Sequence, residues 1–244
     1  MLNYTSPRGH QVIRKSNNII IDFKEPMNCY STSQLNGGIK ELNSCFNHEL
    51  NTWINTTEDL PQGSIKEYFK QVAQGLDLDY HKSTGLMTTA SMDNAVLVSD
   101  HYRDIFLFTL VTAGAFVNAL RAGDPPSYYE ESFNNYVPIG GTINILLVIE
   151  AALPIHTLAR VPIIITEAKS AILQDLGIKS CVTSKIATGT GTDGVIVACH
   201  KDHPVKFADT GNHSQLGHSI SKVVMKAVKE SLIKEKLDFL KRNS

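Results

Sequence analysis

VIRKSNNIII at residues 12–21 sets the fold class. Val12-Ile13 and Ile19-Ile20-Ile21 flank the polar stretch Ser16-Asn17-Asn18, a pattern of β-branched runs around a turn that predicts a hairpin. A hairpin needs an antiparallel neighbour, which a purely doubly wound sheet does not offer. Four later runs read as strands, Ala95–Ser99, Ile105–Val111, Ile143–Ile149 and Val195–Cys199, each short, β-rich and bounded by Gly, Asp or His. Helical spacing marks SIKEYFKQVAQGLDL at 64–78, with Ser64 as cap, then Pro162–Gly177, and then Ser214–Leu240. Residues 31–60, rich in Asn, Ser and Thr, read as loop with short elements. The expectation is one α+β domain over 1–244, a mixed, largely antiparallel sheet with packed helices. No repeat or low-complexity tract interrupts it.

The 244 residues carry Lys+Arg 23 against Asp+Glu 24, a net charge of −1 with no basic block. Nucleic-acid and anionic-membrane surfaces therefore lack an electrostatic footprint, and a small molecule is the expected partner. Cys29, Cys45, Cys181 and Cys199 stand far apart without a CxxC pair, which predicts reduced thiols. MLNYTSPRGH lacks the apolar core of a signal peptide, and Thr109, Thr112, Asn118 and Glu150 interrupt the longest apolar stretches. A soluble cytoplasmic protein is expected, with the possibility of a homo-oligomer left open.

The chemistry concentrates in ATGTGTD at 187–193. Gly189 and Gly191 free the backbone to turn N–H groups toward a ligand, while Thr188, Thr190 and Thr192 crowd hydroxyls beside Asp193. A glycine-rich loop alone is also an ordinary turn. Upstream, however, TAG (112–114), NALRAGD (118–124), GGTIN (140–144) and TEAKSAILQDLG (166–177) each put small residues beside a carboxylate, amide or cation. Together they read as one polar site built from several loops.

On the helix after Pro162, steps of about 100° place Ile164, Ala168, Ala171 and Ile172 on one apolar arc, and Asp175 projects onto it. Either the helix frays before Asp175, or that carboxylate is held there for a reason beyond local stability. Glu167 shares a face with Ser170 and Gln174, lining a cleft or simply meeting solvent. Lys169 reads as a surface lysine or the partner of a nearby acid. Pro125-Pro126 pins Asp124 in a loop, where it caps a turn or acts as acid or base. Asn118 and Asn144 offer amides to an oxyanion or to the backbone. His213, just ahead of the last helix, is a general acid or base or a helix cap, and His200 with His203 reads as a surface pair. No histidine spacing suits a metal, GxSxG and GxxxxGK[ST] are absent, and the glycines at 189, 191 and 194 run into the strand Val195–Cys199 instead of opening a helix, so nothing fits the GxGxxG dinucleotide fingerprint and direct attack by water without a metal is the simplest chemistry.

The order LNGG (35–38), GLMTTASMDN (85–94), TAG and NALRAGDPPSYYE (112–130), GTIN (141–144), TEAK and QDLG (166–177), ATGTGTD (187–193) and HSQLG (213–217) resembles the adenosylcobinamide amidohydrolase family. The likeness runs from about Ser31 to the last helix and leaves the N-terminal hairpin, residues 1–30, outside. It implies hydrolysis of the amide between the corrin ring's propionyl side chain and the aminopropanol arm, giving adenosylcobyric acid in corrinoid salvage and cobalamin biosynthesis. The corrinoid is then substrate, its cobalt carried by the corrin, and no cofactor is required.

By chemical type, Asp193 or Glu167 would activate water and His213 or Asp124 would deliver the proton. Backbone N–H groups of 189–192, with Asn144, would hold the oxyanion. Thr188, Thr190, Thr192, Asn118, Lys169 and Asp175 complete the expected substrate contacts. The competing readings are a non-catalytic corrinoid or nucleotide binder and an ATP-dependent phosphotransferase.

Overall fold

The computed structural model describes residues 2–50, 57–103, 105–126 and 141–242. Ser127–Glu130 and Gly140, parts of two motifs quoted above, lie outside the described residues. In chain order the strands are β1 (Asn3–Thr5), β2 (Gln11–Lys15), β3 (Asn18–Ser31), β4 (Gly38–Glu49), β5 (Ser83–Thr88), β6 (Val96–Tyr102), β7 (Ile105–Ala113), β8 (Ala119–Leu120), β9 (Ile143–Ala152), β10 (Gly189–Thr190) and β11 (Gly194–His200). The helices are α1 (Ile65–Gly75), α2 (Ile155–Leu158), α3 (Val161–Asp175) and α4 (Gln215–Arg242). No helix among the described residues is long and apolar enough to cross a membrane.

The hairpin forms as expected, with Val12 opposite Ile21 and Ile13 opposite Ile20, and Ser16 takes the left-handed turn position at φ 55. It opens a nine-stranded mixed sheet ordered β1-β2-β3-β11-β9-β7-β6, with β4 on the other edge of β3 and β5 beyond it. β4 with β5 and β9 with β11 are parallel, and the other pairs in this sheet are antiparallel. The sheet is an α+β arrangement curled so that its two halves face each other.

Side-chain alternation explains the layering. Ile143, Ile145, Leu147 and Ile149 of β9 pack with α3 and α4, while Leu146 and Val148 turn into the core between the sheet halves. There they meet Ile19, Ile21 and Met27 of β3 and Cys45 of β4. On the far side α1 covers Ile20 and Phe46 with Phe69 and Ala73. The capping serine of α1 is in place, Ser64 Oγ accepting from Glu67 N at 3.4 Å.

β4 corrects the loop expected over 31–60. Its buried positions include Asn47 and His48, whose polarity hides the strand pattern. Both are satisfied inside the protein. His48 is held by Asn18 Oδ1 and Tyr68 Oη, each at 2.7 Å, and burial pushes its pKa down to about 4. An imidazole that titrates near 6.5 when unfolded and near 4 when folded stabilises the native state fully above about pH 6.5, and that share is lost as pH falls toward 4. His48→Gln should therefore flatten the dependence of stability on pH by about one proton over this window. Urea denaturation at closely spaced pH values measures it, and parallel curves for the two proteins would contradict the assignment.

Candidate active site

The start of β9 gathers segments from across the chain. β9 lies between β7 and β11, so the end of β7 and the starts of β9 and β11 come side by side. The Thr142 carbonyl accepts from Gly114 N at 2.9 Å, Thr142 Oγ1 donates to the Thr192 carbonyl at 2.8 Å, and Ile143 N donates to Asp193 Oδ1 at 3.1 Å. Gly141 N donates to Thr89 Oγ1, and Asn118 Nδ2 donates to the Gly141 carbonyl. Gly141 has φ +94, and a Cβ there would stand 2.8 Å from the Gly114 oxygen, so only glycine fits this crossing. The short pair β8/β10 ties the loop at 187–193 to the segment at 118–122, with Thr188 Oγ1 accepting from Ala122 N at 2.9 Å.

Asp193 is the knot of the glycine–threonine loop. Oδ1 accepts from Thr190 Oγ1 at 2.5 Å and from Ile143 N, while Oδ2 accepts from Thr190 N at 3.0 Å and from the Lys169 ammonium. Four donors fill the roughly four lone-pair directions of a carboxylate. Lys169 lies on the sheet-facing side of α3 with Ala168 and Ile172, and the two side chains of the pair are 10% and 14% exposed. A Cβ at Gly189 would come within 2.7 Å of Lys169 Nζ, so this glycine leaves room for the pair. Two of the loop N–H groups expected for an oxyanion are already engaged, Thr190 N by Asp193 and Thr192 N by Thr190 Oγ1 at 3.4 Å. Gly191 and Thr192 form the exposed tip.

Toward the interior the same end is closed by a polar plug. Asn144 Nδ2 donates to Asn47 Oδ1 at 2.8 Å and to the Met87 carbonyl at 2.9 Å, and Asn47 Nδ2 donates to Thr112 Oγ1 at 2.7 Å. Asn118 is fully buried, and its Oδ1 has no hydrogen-bond partner among the described residues.

The other expected acids and the histidine sit elsewhere. Asp124 clasps its own turn, accepting from Ser180 Oγ at 2.5 Å, Arg121 N at 2.7 Å and Thr183 Oγ1 at 2.7 Å. The Ser180 hydroxyl and then the Arg121 N–H hold its carboxyl below the usual range, which favours the ionised form and works against proton delivery. Glu167 is exposed, about 200° around α3 from Lys169, and accepts from Asn212 Nδ2 at 2.6 Å. His213 is 78% exposed and pairs with Asp209 at 2.8 Å.

The structure thus brings Asp193, Lys169, Asn118, Asn144 and the threonines together, and turns Glu167 and His213 away from them. Asp175 does not join the apolar arc. α3 ends there, past its last buried position Leu173, and the carboxylate is exposed. His200 and His203 are not a surface pair: they are 3% and 7% exposed, and His200 Nδ1 meets Glu25 Oε1 at 2.8 Å. Among the described residues no three His, Cys, Asp or Glu side chains group to hold a metal ion.

Sequence reasoning passed over Glu235 on α4. Its Oε2 accepts from Ala115 N at 3.0 Å, and burial raises its pKa to about 7. The signal was present in the spacing, since Ile220, Val224, Ala227, Val228 and Ser231 are all buried and Glu235 continues their stripe.

The family model of adenosylcobinamide amidohydrolase matches residues 3–238, taking in the N-terminal hairpin as well. An uncharacterised protein of Methanocaldococcus jannaschii is 32% identical over 237 residues, 92% of this chain and 89% of that one. An adenosylcobinamide amidohydrolase of Methanosarcina mazei is 27% identical over 206 residues, 81% of this chain and 86% of that one. Among solved structures, a Pyrococcus horikoshii protein aligns with TM-score 0.42 at 11% identity, covering 97% of this chain and 82% of that chain. A Burkholderia sp. β-aminopeptidase aligns with TM-score 0.40 at 12% identity, covering 93% and 82%. With a match across nearly its whole length, the chain belongs to the adenosylcobinamide amidohydrolase family, a family of amide-bond hydrolases.

Proposed function

We propose that this protein hydrolyses the amide joining a propionyl side chain of the corrin ring to the aminopropanol arm of adenosylcobinamide, releasing aminopropanol and leaving adenosylcobyric acid. The observation that carries this reading is the family match over residues 3–238. Motifs of that family supply the groups that meet at the start of β9. An amide is a poor electrophile with a poor leaving amine, so its hydrolysis needs a stabilised oxyanion, a proton acceptor for water and a proton donor for nitrogen.

In this reading the Asp193 side chain fixes both the loop and Lys169. The ammonium, which has three N–H bonds and gives one to Asp193, turns another to the carbonyl oxygen as charge develops there. The exposed loop tip at Gly191 and Thr192 and the hydroxyls of Thr188 and Thr190 meet the amide-rich rim of the corrinoid. Asn118 and Asn144 hold the floor beneath. The reaction is read as metal-independent, a water attack without a covalent enzyme intermediate.

The purified protein incubated with adenosylcobinamide, ATP omitted, should release aminopropanol and adenosylcobyric acid in equal amounts, and the rate should survive a chelator. A protein that binds the corrinoid and releases nothing would be a binder. Consumption of ATP with a phosphorylated product would make it a phosphotransferase. Either result overturns the hydrolytic reading.

A further inference from the structure

We infer that Glu235 is the group that takes the proton from water and returns it to the leaving nitrogen in this reaction. The inference rests on the hydrolytic reading above and deepens it. Hydrolysis requires a carboxylate or imidazole free to change its protonation at the site. Asp193 has its lone pairs filled by four donors, Asp124 is clasped in its turn, and Glu167 and His213 bond to Asn212 and Asp209 on exposed parts of the chain. Among the described residues, Glu235 is a carboxylate that the fold carries to the crossing of Gly114 and Gly141.

Its geometry is that of a site residue. Glu235 Oε1 lies 2.9 Å from where a Cβ on Gly114 would stand, and the same Cβ would be 3.2 Å from Gly141 Cα. The carboxyl group is therefore set against the two glycines where the 114–118 loop crosses the start of β9. The Asn118 side-chain oxygen, which has no hydrogen-bond partner among the described residues, is at this crossing too, 3.0 Å from where a Cβ on Gly141 would stand, and Asp193 accepts from Ile143 N at the start of β9. The loop that Glu235 holds carries Phe116 and Val117, 40% and 60% exposed, an apolar ledge suited to a flat macrocycle.

A purely structural latch needs no carboxylate. One turn earlier on α4, Ser231 does the same work with a neutral hydroxyl, accepting from Ala113 N at 2.9 Å and donating to the Asn94 carbonyl at 2.8 Å. The groups that bear on Glu235 from the loop are the N–H groups of Ala115 and Phe116. Along α4 it is flanked by Lys234, whose ammonium donates to the Ala95 carbonyl at 3.0 Å, and by Asp238 one turn on. Burial sets the titration near neutrality, where both protonation states are populated.

Water's oxygen bonds to the amide carbon while its proton passes to the Glu235 carboxylate, and the carbonyl π electrons move onto oxygen beside Lys169. The tetrahedral species then re-forms its C=O bond and expels nitrogen, which takes the proton back from Glu235. Water and amide become acid and amine.

The test is the rate of aminopropanol release from adenosylcobinamide between pH 5 and 9 for the wild type, Glu235→Gln and Ser231→Ala, with thermal unfolding as the check on folding. The wild-type kcat/KM should fall as pH drops below about 7, where the base is protonated. Glu235→Gln should remain folded, lose about 10²–10⁴-fold in rate and lose that acid limb, whereas Ser231→Ala should keep the limb. A glutamine variant that retains the limb, or a rate within about tenfold of wild type, overturns the assignment. If glutamine prevents folding, the wild-type profile decides, because the absence of a limb between pH 6 and 8 is equally fatal. A wild type that releases no aminopropanol at all fails the hydrolytic reading instead, and the Glu235 assignment falls with it.

Discussion

Asp193→Asn should remove most of the activity and several kcal/mol of stability together. Asparagine keeps one acceptor oxygen but presents an NH₂ group where the carboxylate accepted from Thr190 N and the Lys169 ammonium, or from Ile143 N and Thr190 Oγ1. Donors then face donors, and Lys169, only 10% exposed, is left without its counter-charge. Breaking one side of such a buried pair costs about 3–5 kcal/mol. Loss of a positioned donor at an oxyanion lowers turnover by about 10²–10³-fold. Urea denaturation and initial rates of aminopropanol release measure both effects. Adding Lys169→Met to Asp193→Asn separates them: a neutral, well-packed pair should recover stability and leave activity low. Recovery of activity in the double variant would show that the pair serves the fold alone.

The second large effect is expected at Asn144. It is 1% exposed, and its amide nitrogen satisfies both Asn47 Oδ1 and the Met87 carbonyl, joining the two sheet halves just beneath the site. Asn144→Ala strands those two acceptors at about 1–3 kcal/mol each. The expected loss is about 2–5 kcal/mol, with a fall in turnover because the 87–89 segment and the start of β9 share these bonds. A variant as stable as wild type in urea would mean that water or a rearranged neighbour satisfies both groups and that the plug is not structural.

The sequence pattern exposed elements whose burial is uniform or strictly alternating. β9 is buried at every position, and the β2/β3 hairpin carries β-branched runs around its turn, so both could be read locally. β4 could not, because Asn47 and His48 are buried polar residues whose partners come from β3, β7, β9 and α1. The parallel pairing of β9 with β11 joins segments about fifty residues apart, which no local period encodes.

At the candidate site, ATGTGTD and GTIN could be read as segments that come together, as the Thr142–Thr192 and Ile143–Asp193 bonds show, because glycines and a carboxylate leave a local signature. Side-chain direction on α3 was harder. Lys169 and Glu167 are two positions apart, and only the packing of the helix on the sheet decides that the lysine goes in and the glutamate out. Glu235 was hidden in a charge-rich helix end, although it continues the apolar stripe set by Ile220, Val224 and Ser231. A charged residue at a core-facing position is the pattern to look for in such helices.

The location of the site is tested most directly by hydrogen exchange of the protein with and without adenosylcobyric acid, the expected product. Binding at the start of β9 predicts slowed exchange at 115–118, 141–144 and 188–194, with the largest change at the loop tip Gly191-Thr192. Slowing confined to 209–213 and the Glu167 face of α3, with those three segments unchanged, would contradict it.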